Sequence, residues 1–558
     1  MLAGLWVGWQ AVHVRHDQAA VAGQVAALRA QAGRGDYLAA RRTLAGLRVR
    51  LDDAAARTSD PVWSVLAQVP VLGRDLAAVR AGTRAGDDLA RTVLPDVERL
   101  TELLQDRPLL QAGAVRLDTL RVLDPLVQRA AAASTGVRTR LAVAPRPLLP
   151  VVQRGLDRLT QQVAELDDGL RTAGRAFTVL PAMLGADGPR TYFLAVQNNA
   201  ESRATGGLIG SYAVLVADHG RLTLTRTGSD TDLRQAPRPL PQPEAAAGVW
   251  TQEGSGQFWY NANLTPHFPD VASTVTGLWA AQGGGRLDGV LALDPVALSD
   301  LLRPAGPVSL PGGLRVGADD VVDFALHREY VLFPAADQTA RKRVLTALAE
   351  AIFHRVVASP NPAGTLRGMV TAAGSGHVLM WSRHPAEQSV LLSGRVGGAL
   401  PATRTPFLEV LTQNYAGNKL DYYLHRTVTV TPAGPGRVRV VVTLLNAAPA
   451  GLPAYMTVRA DRPAGRVPVG QAKTSVAVYG GLGALFDQVQ VDGRPATMTF
   501  DTDHGHGLGE LVLELPPGVT RTLSVLVTEP PGVLVYRQQP LAHPDVLVID
   551  VPHQVIGV

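Results

Sequence analysis

Apolar residues recur at three- and four-residue spacing from Asp17 to about Phe177, then at alternate positions after Asn414, with a mixed region between. In the first stretch Val21, Val25 and Leu28 share one helical face, and Leu38, Leu44, Leu47 and Leu51 share another. Gly33-Arg34-Gly35-Asp36 separates the two, with Asp36 placed to cap the second helix. Ser59-Asp60-Pro61, Pro70, Pro95 and the Pro145–Pro150 stretch interrupt the helical pattern beyond it. The pattern predicts an all-α set of antiparallel helices over 17–177, a stalk or bundle with a solvated arginine face.

Beyond Pro181 the period changes. Thr191–Gln197, Leu208–Ala217, Arg221–Thr227 and Asp288–Asp294 read as strands, Pro295–Leu302 as a short helix, and Ala340–Val357 as an amphipathic helix. Val344, Leu345, Leu348, Ile352, Phe353 and Val356 form that helix's apolar face. Strands mixed with helices predict a central α/β domain over 178–412. Arg426–Val430, Arg437–Leu445, Thr474–Tyr479, Gln488–Val491, Leu511–Leu515 and Thr522–Thr528 are short strands divided by Gly/Pro turns. They predict an all-β sandwich over 413–558.

With 558 residues, 46% of them apolar and 18% charged, the chain has the material for several cores and is unlike a disordered one. The absence of cysteine excludes disulfides, thiolate metal sites and a cysteine nucleophile. A net charge of +5 over this length, carried almost wholly by arginine, is no nucleic-acid signal, and none is expected as a partner. Leu2–Val14 is apolar except for Gln10 and His13, yet shorter than the ~20 residues that cross a bilayer. It is either the outer part of a transmembrane helix or a buried first helix. Residues 1–16 are taken as a partial membrane anchor, which places the bulk of the chain at the cell membrane on its extracytoplasmic side.

Candidate chemistry gathers in the middle region. Arg341-Lys342-Arg343 opens the amphipathic helix just after Asp337. Cations there oppose the helix dipole, so they either await an anion or pair with nearby carboxylates on a wet surface. Asn198-Asn199-Ala200-Glu201-Ser202-Arg203, followed by Gly206-Gly207, is a polar loop between strands, a turn or a ligand loop. Asp230 and Asp232 are placed to hold Mg²⁺ or to form a solvated turn. Asp501, Asp503, His504 and His506 have a metal-like composition but no ligand spacing, and are expected to form a hairpin loop. No hydrolase elbow, zincin helix or dinucleotide loop is present.

Four blocks carry a resemblance. They are Tyr192–Tyr212, Asn261–Pro269, Leu287–Asp294 and Asn414–Tyr423, and they resemble the bacterial envelope family known as domain of unknown function 4012. The order from Asp288 through Leu301–Val308, His327-Arg328, Asp337 and Arg341–Arg343 is also distantly similar to the LytR-CpsA-Psr glycopolymer transferases. That likeness implies a mixed sheet with flanking helices that binds a polyprenyl-(pyro)phosphate-linked glycan and transfers it to cell-wall acceptors, peptidoglycan among them. It implies Arg203, Arg328, Arg341 and Arg343 as phosphate clamps, Asp230 and Asp337 as catalytic acids, and a divalent metal. The sequence departs from that pattern: Arg226 and Asp230 are not adjacent, a single arginine stands at 328, and Val344 follows Arg343. A non-catalytic envelope scaffold is the alternative, and the likeness leaves enzymatic activity undecided.

Overall fold

The structure is a computed structural model that describes residues 23–557 apart from 29, 32–33, 60–62, 64–71, 112, 334–337 and 463–465. The chain divides into two compact units, the first running to Gly188 and including Asn361–Gly364, the second made of Pro189–Pro360 and the residues from Thr365 on. The expected anchor, Leu2–Val14, lies outside the described residues. Among the described residues no helix is long and apolar enough to cross a membrane.

The first unit is helical: α1 (Tyr37–Thr58), α2 (Leu72–Thr92), α3 (Leu94–Asp106), α4 (Leu117–Ala142) and α5 (Pro150–Met183), with a short hairpin of β1 (Leu110–Gln111) and β2 (Ala114–Val115). Asp36 caps α1 as expected, its carboxylate accepting the Ala39 amide at 3.0 Å. Pro150 opens α5, where a missing N–H costs nothing. Helix α5 continues past 177 to Met183, because Pro181 lies in its last turn and does not end it. Between α4 and α5 the buried Asp167 accepts bonds from Ser134, Thr135 and Arg138.

The second unit opens with five strands hydrogen-bonded side by side in the order β5-β4-β3-β6-β9: β3 (Arg190–Arg203), β4 (Gly206–Asp218), β5 (Arg221–Ser229), β6 (Gly289–Leu293) and β9 (Val378–Ser382). Only β3 and β6 run parallel. Side chains alternate between the two faces. Phe193, Ala195, Val290 and Ala292 pack with Tyr212 and Trp279 against α7 (Phe268–Ala281), which follows the short α6 (Gly248–Gln252). Tyr192, Leu215 and Leu291 face the other way, where Phe353 reaches them. Phe353 belongs to α11 (Gln338–Val357), which follows α8 (Pro295–Ala305), the small β7/β8 hairpin (Val308–Ser309, Arg315–Val316), and a helical run of α9 (Val321–Asp323), a π-turn (Phe324–Arg328) and α10 (Glu329–Leu332). Helix α11 is apolar on two sides. Leu348 and Ile352 enter a core with Leu298, Leu302 and Phe324, and Phe353 turns to the sheet.

The remaining strands form two six-stranded sheets. One has the order β16-β17-β13-β10-β19-β21: Thr499–Asp503, His506–Leu515, Ala472–Leu482, Phe407–Asn414, Leu534–Arg537 and His553–Ile556. The other has the order β15-β14-β18-β12-β11-β20: Arg494–Pro495, Leu485–Val491, Thr520–Thr528, Arg437–Asn446, Leu424–Pro432 and Val546–Ile549. Val410, Val476 and Leu513 of the first share a single core with Val428, Val442 and Val525 of the second. Strand β10 begins before residue 413, so the expected boundary falls inside a strand of the C-terminal sheets. Its eight positions are all buried, and such a run lacks the alternation by which a one-sided strand is recognised.

Ion pairs sit inside this part. Arg426 meets Asp545 through two bonds of 2.5 and 2.9 Å with both side chains essentially inaccessible, and Arg537 meets Glu409. Removing one partner of such a pair leaves an uncompensated buried charge. Asp545→Ala is expected to destabilise the C-terminal sheets by about 3–5 kcal/mol. Asp96→Ala, which frees only the exposed Arg129, is expected to cost under about 1 kcal/mol. Urea denaturation followed by tryptophan fluorescence and circular dichroism measures both; equal shifts would contradict the assignment.

Candidate functional site

The polar loop of the sequence is the tip of the β3/β4 hairpin, and its tightness dictates its glycines. Gly206 has φ +134°, and a side chain at Gly207 would overlap the Asn198 carbonyl. Register shifts interrupt the β3/β4 pairing on either side of Asn198. The tip docks on the C-terminal sheets. Asp421 accepts the Ser202 amide at 2.9 Å and the Ser202 hydroxyl, and its other oxygen accepts Asn414 Nδ2 at 3.0 Å. Arg203 donates to the carbonyls of Tyr260, Ser202 and Asn414 at 2.9–3.0 Å. Asn199 donates to Asp294 and to the Pro540 carbonyl.

Next to this joint, a cavity of about 140 Å³ lies between the sheet and α11. Val196, Leu208, Leu298, Leu345 and Leu348 give it an apolar interior. Arg341, Lys342, Lys419, Glu201, Asp230 and Glu329 bring charge, with Tyr330 and Tyr455 beside them. A second, smaller void of about 30 Å³ shares Val196, Ser211, Thr346 and Ala349 with the first and continues to Leu194, Leu224 and Phe353. The result is an apolar trough under α11 with a charged end.

Each cation at that end has a carboxylate partner. Arg341 is paired with Glu329 at 3.0 Å, Lys342 with Asp230 at 2.8 Å and Lys419 with Glu201 at 2.7 Å. The Tyr330 and Tyr455 rings stack with centroids 5.8 Å apart, and the Arg341 guanidinium lies beside both, 5.0 and 5.2 Å from those centroids. Burial pushes the Glu329 carboxyl up to about 7, against the opposing pull of Arg341.

The expected convergence of four guanidinium groups is not found. Arg341 alone of the four lines the cavity. Arg343, two residues further along the helix and so rotated by roughly 200°, is exposed. Arg328 is half-exposed with Asp323 3.9 Å away. Arg203 is buried and committed to carbonyls, and burial lowers its pKa. Asn198 and Glu201 line the cavity, whereas Asn199 belongs to the joint. Asp230 lines it and holds Lys342, whereas Asp232 is outside its lining and accepts the Ser229 amide. Asp337 lies outside the described residues. Lys419 lies in the Asn414–Tyr423 block of the family resemblance, but nothing in that block's spacing marks it as a site residue, and Tyr455 belongs to no motif. They come from segments far along the chain, and only the rarity of lysine here singles out Lys419.

Among the described residues, His267, Asp270 and His504 have the spacing of metal ligands. His504 bonds Asp270 at 2.8 Å and stacks on His267 with ring centroids 3.8 Å apart. The Leu400 amide donates to His267 Nδ1, which puts the proton of the neutral ring on Nε2 and leaves no lone pair for a metal. Burial and the neighbouring His504 lower His267 to about 4, whereas bonding to Asp270 raises His504. The group therefore works as a clasp between α7 and the β16/β17 turn. His506, which the sequence groups with His504, bonds instead to the Gly480 and Pro401 carbonyls.

Residues 187–330 match the family model described as "Protein of unknown function (DUF4012)". No curated protein and no solved structure matches the chain.

The joint yields a pH prediction. Burial raises the Asp421 carboxyl to about 6, above the roughly 3.9 of an unfolded aspartate. A folded-state value above the unfolded one means stability present at acid pH and lost as pH rises through about 4 to 6. Asp421→Asn is expected to flatten the dependence of melting temperature on pH across that window. Thermal melts at half-unit steps test this, and an unchanged slope would remove Asp421 as its source.

Proposed function

Taking as premise that residues 187–330 belong to a family without an assigned activity, we propose that the cavity binds the phosphate end of a polyprenyl-(pyro)phosphate-linked glycan at the outer face of the cell membrane. The isoprenoid chain follows the trough under α11, and Leu2–Val14 contributes the anchor. The observation that carries this reading is one cavity with an apolar interior and Arg341, Lys342 and Lys419 at its charged end. Guanidinium and ammonium groups recognise phosphate oxygens through charge-assisted hydrogen bonds, and apolar walls favour a hydrocarbon tail.

In the fuller version of the proposal the central sheet has the LytR-CpsA-Psr fold, the C-terminal sheets are a β-sandwich, and the glycan passes to a cell-wall acceptor. Transfer of that kind needs little beyond positioning and neutralisation of phosphate charge. Mg²⁺ at Asp230 would have to displace Lys342, and the ammonium already supplies positive charge there. A second reading, a non-catalytic envelope scaffold, is favoured by a specific observation: Asn199, Ser202 and Arg203 are spent on holding the C-terminal sheets.

Arg341→Ala and Lys419→Ala are each expected to weaken binding of farnesyl phosphate tenfold or more, about 1.4 kcal/mol. Arg343→Ala, on the exposed side of the same helix, is expected to leave it unchanged. Fluorescence titration of the full chain, with near-ultraviolet circular dichroism to verify the fold, measures this. Wild-type affinity in Arg341→Ala would refute the carrier-lipid reading.

A further inference from the structure

The charged end of the cavity is balanced, three cations against three carboxylates, and one of the carboxylates is unlike the others. Glu329 is 1% exposed. Its Oε1 takes the bond from Arg341 Nη1, while Oε2 is buried in the cavity wall with no hydrogen-bond partner. The groups around it come from every element that packs there. Arg341 and Gln338 stand on α11, Tyr330 on its own helix, Asn198 and Glu201 on β3, and Lys419 and Tyr455 on the C-terminal segments. Lys342 and Asp230 pair with each other in the same lining.

Three of the five N–H groups of Arg341 are placed, Nη1 on Glu329, Nε on Gln338 and Nη2 towards Tyr455 Oη at 3.4 Å, and the Tyr330 and Tyr455 rings flank the guanidinium. An anionic group reaching the two that remain shares this guanidinium with Glu329. It also brings negative charge against a carboxylate that has no water to screen it, a costly approach in a desolvated site. A proton on Oε2 removes that repulsion and turns an acceptor without a partner into a donor.

Resting on the carrier-lipid reading, we propose that Glu329 takes up one proton from solvent when an anionic headgroup binds, so that its carboxyl group donates to the headgroup while Arg341 shifts its charge from Glu329 to the ligand. No covalent bond is made or broken; the proton passes from water or buffer to Oε2 and returns on release. The burial that lifts Glu329 to about 7 makes this uptake inexpensive at neutral pH. Lys342 and Lys419 keep their own carboxylates and reach the headgroup with their other ammonium hydrogens.

The probe is farnesyl methyl phosphate, a diester whose single charge is constant from pH 5 to 9, so that any pH dependence belongs to the protein. Its dissociation constant for the full chain is expected to rise about tenfold between pH 6 and pH 8, as one titration near 7 requires. Calorimetry at pH 8 in two buffers of different ionisation enthalpy is expected to show uptake of close to one proton, a measurement that needs no variant. Glu329→Gln is expected to abolish both the slope and the uptake. Binding without pH dependence or proton uptake, or an equal slope in Glu329→Gln, overturns the proton coupling and leaves the lipid reading standing. No binding at any pH overturns the lipid reading, and the coupling with it.

Discussion

The arrangement of the second unit depends on a buried arginine that has no carboxylate of its own. Arg203 ends β3, and its Nε and Nη1 donate to the carbonyls of Tyr260, Ser202 and Asn414. Burying a guanidinium is costly unless its N–H groups are satisfied, and here the acceptors come from three segments that must all be in place at once. Gln539 closes the arrangement by donating to the Arg203 carbonyl and to that of Thr412. The strand end, the loop after β10 and the segment after β19 are thus fixed as a group, and the register of one constrains the others.

That joint sets the composition of the cavity. Asn414 and Asp421, which hold the hairpin tip, bracket the loop bearing Lys419, so the bonds to Ser202 and Arg203 also deliver an ammonium group to Glu201. Tyr455 arrives from a further segment and lies over both Arg341 and Lys419. Two walls of the cavity come from the sheet and α11, and its charged end is completed only when the C-terminal strands are folded against them. A fragment ending near residue 330 would lack α11, Lys419 and Tyr455, and with them the cations.

Legibility in the sequence is a matter of range. The cap of α1, the strands flanking the hairpin tip and helix α11 are set by neighbours within a few residues, and spacing reveals them. The need for Gly206 and Gly207 is readable for the same reason, since a tight hairpin excludes side chains locally. The role of Arg203 is not readable: charge in a sequence suggests an anion, whereas the partners here are carbonyls up to 211 residues away. Helical period alone places Arg341 and Arg343 on different sides, so a run of cations at a helix start does not make one clamp. The all-buried β10 and the short strands near the C-terminus carry little alternation, which is why their pairing is invisible in the residue pattern.

Charge balance also bears on how tightly such a cavity holds an anion. A cluster of unpaired guanidinium groups would attract phosphate strongly but would be expensive to keep dry while empty. Pairing each cation with a carboxylate reduces that cost, and the Tyr330 and Tyr455 rings lower it further for Arg341. In the proposed mode a headgroup draws the Arg341 charge away from Glu329, so binding there is an exchange of one anion for another. Exchange keeps net affinity modest and lets a bound anion leave, as the proposed carrier-lipid role requires. Glu329 is where that exchange has least to undo, because one of its two oxygens has no bond to lose.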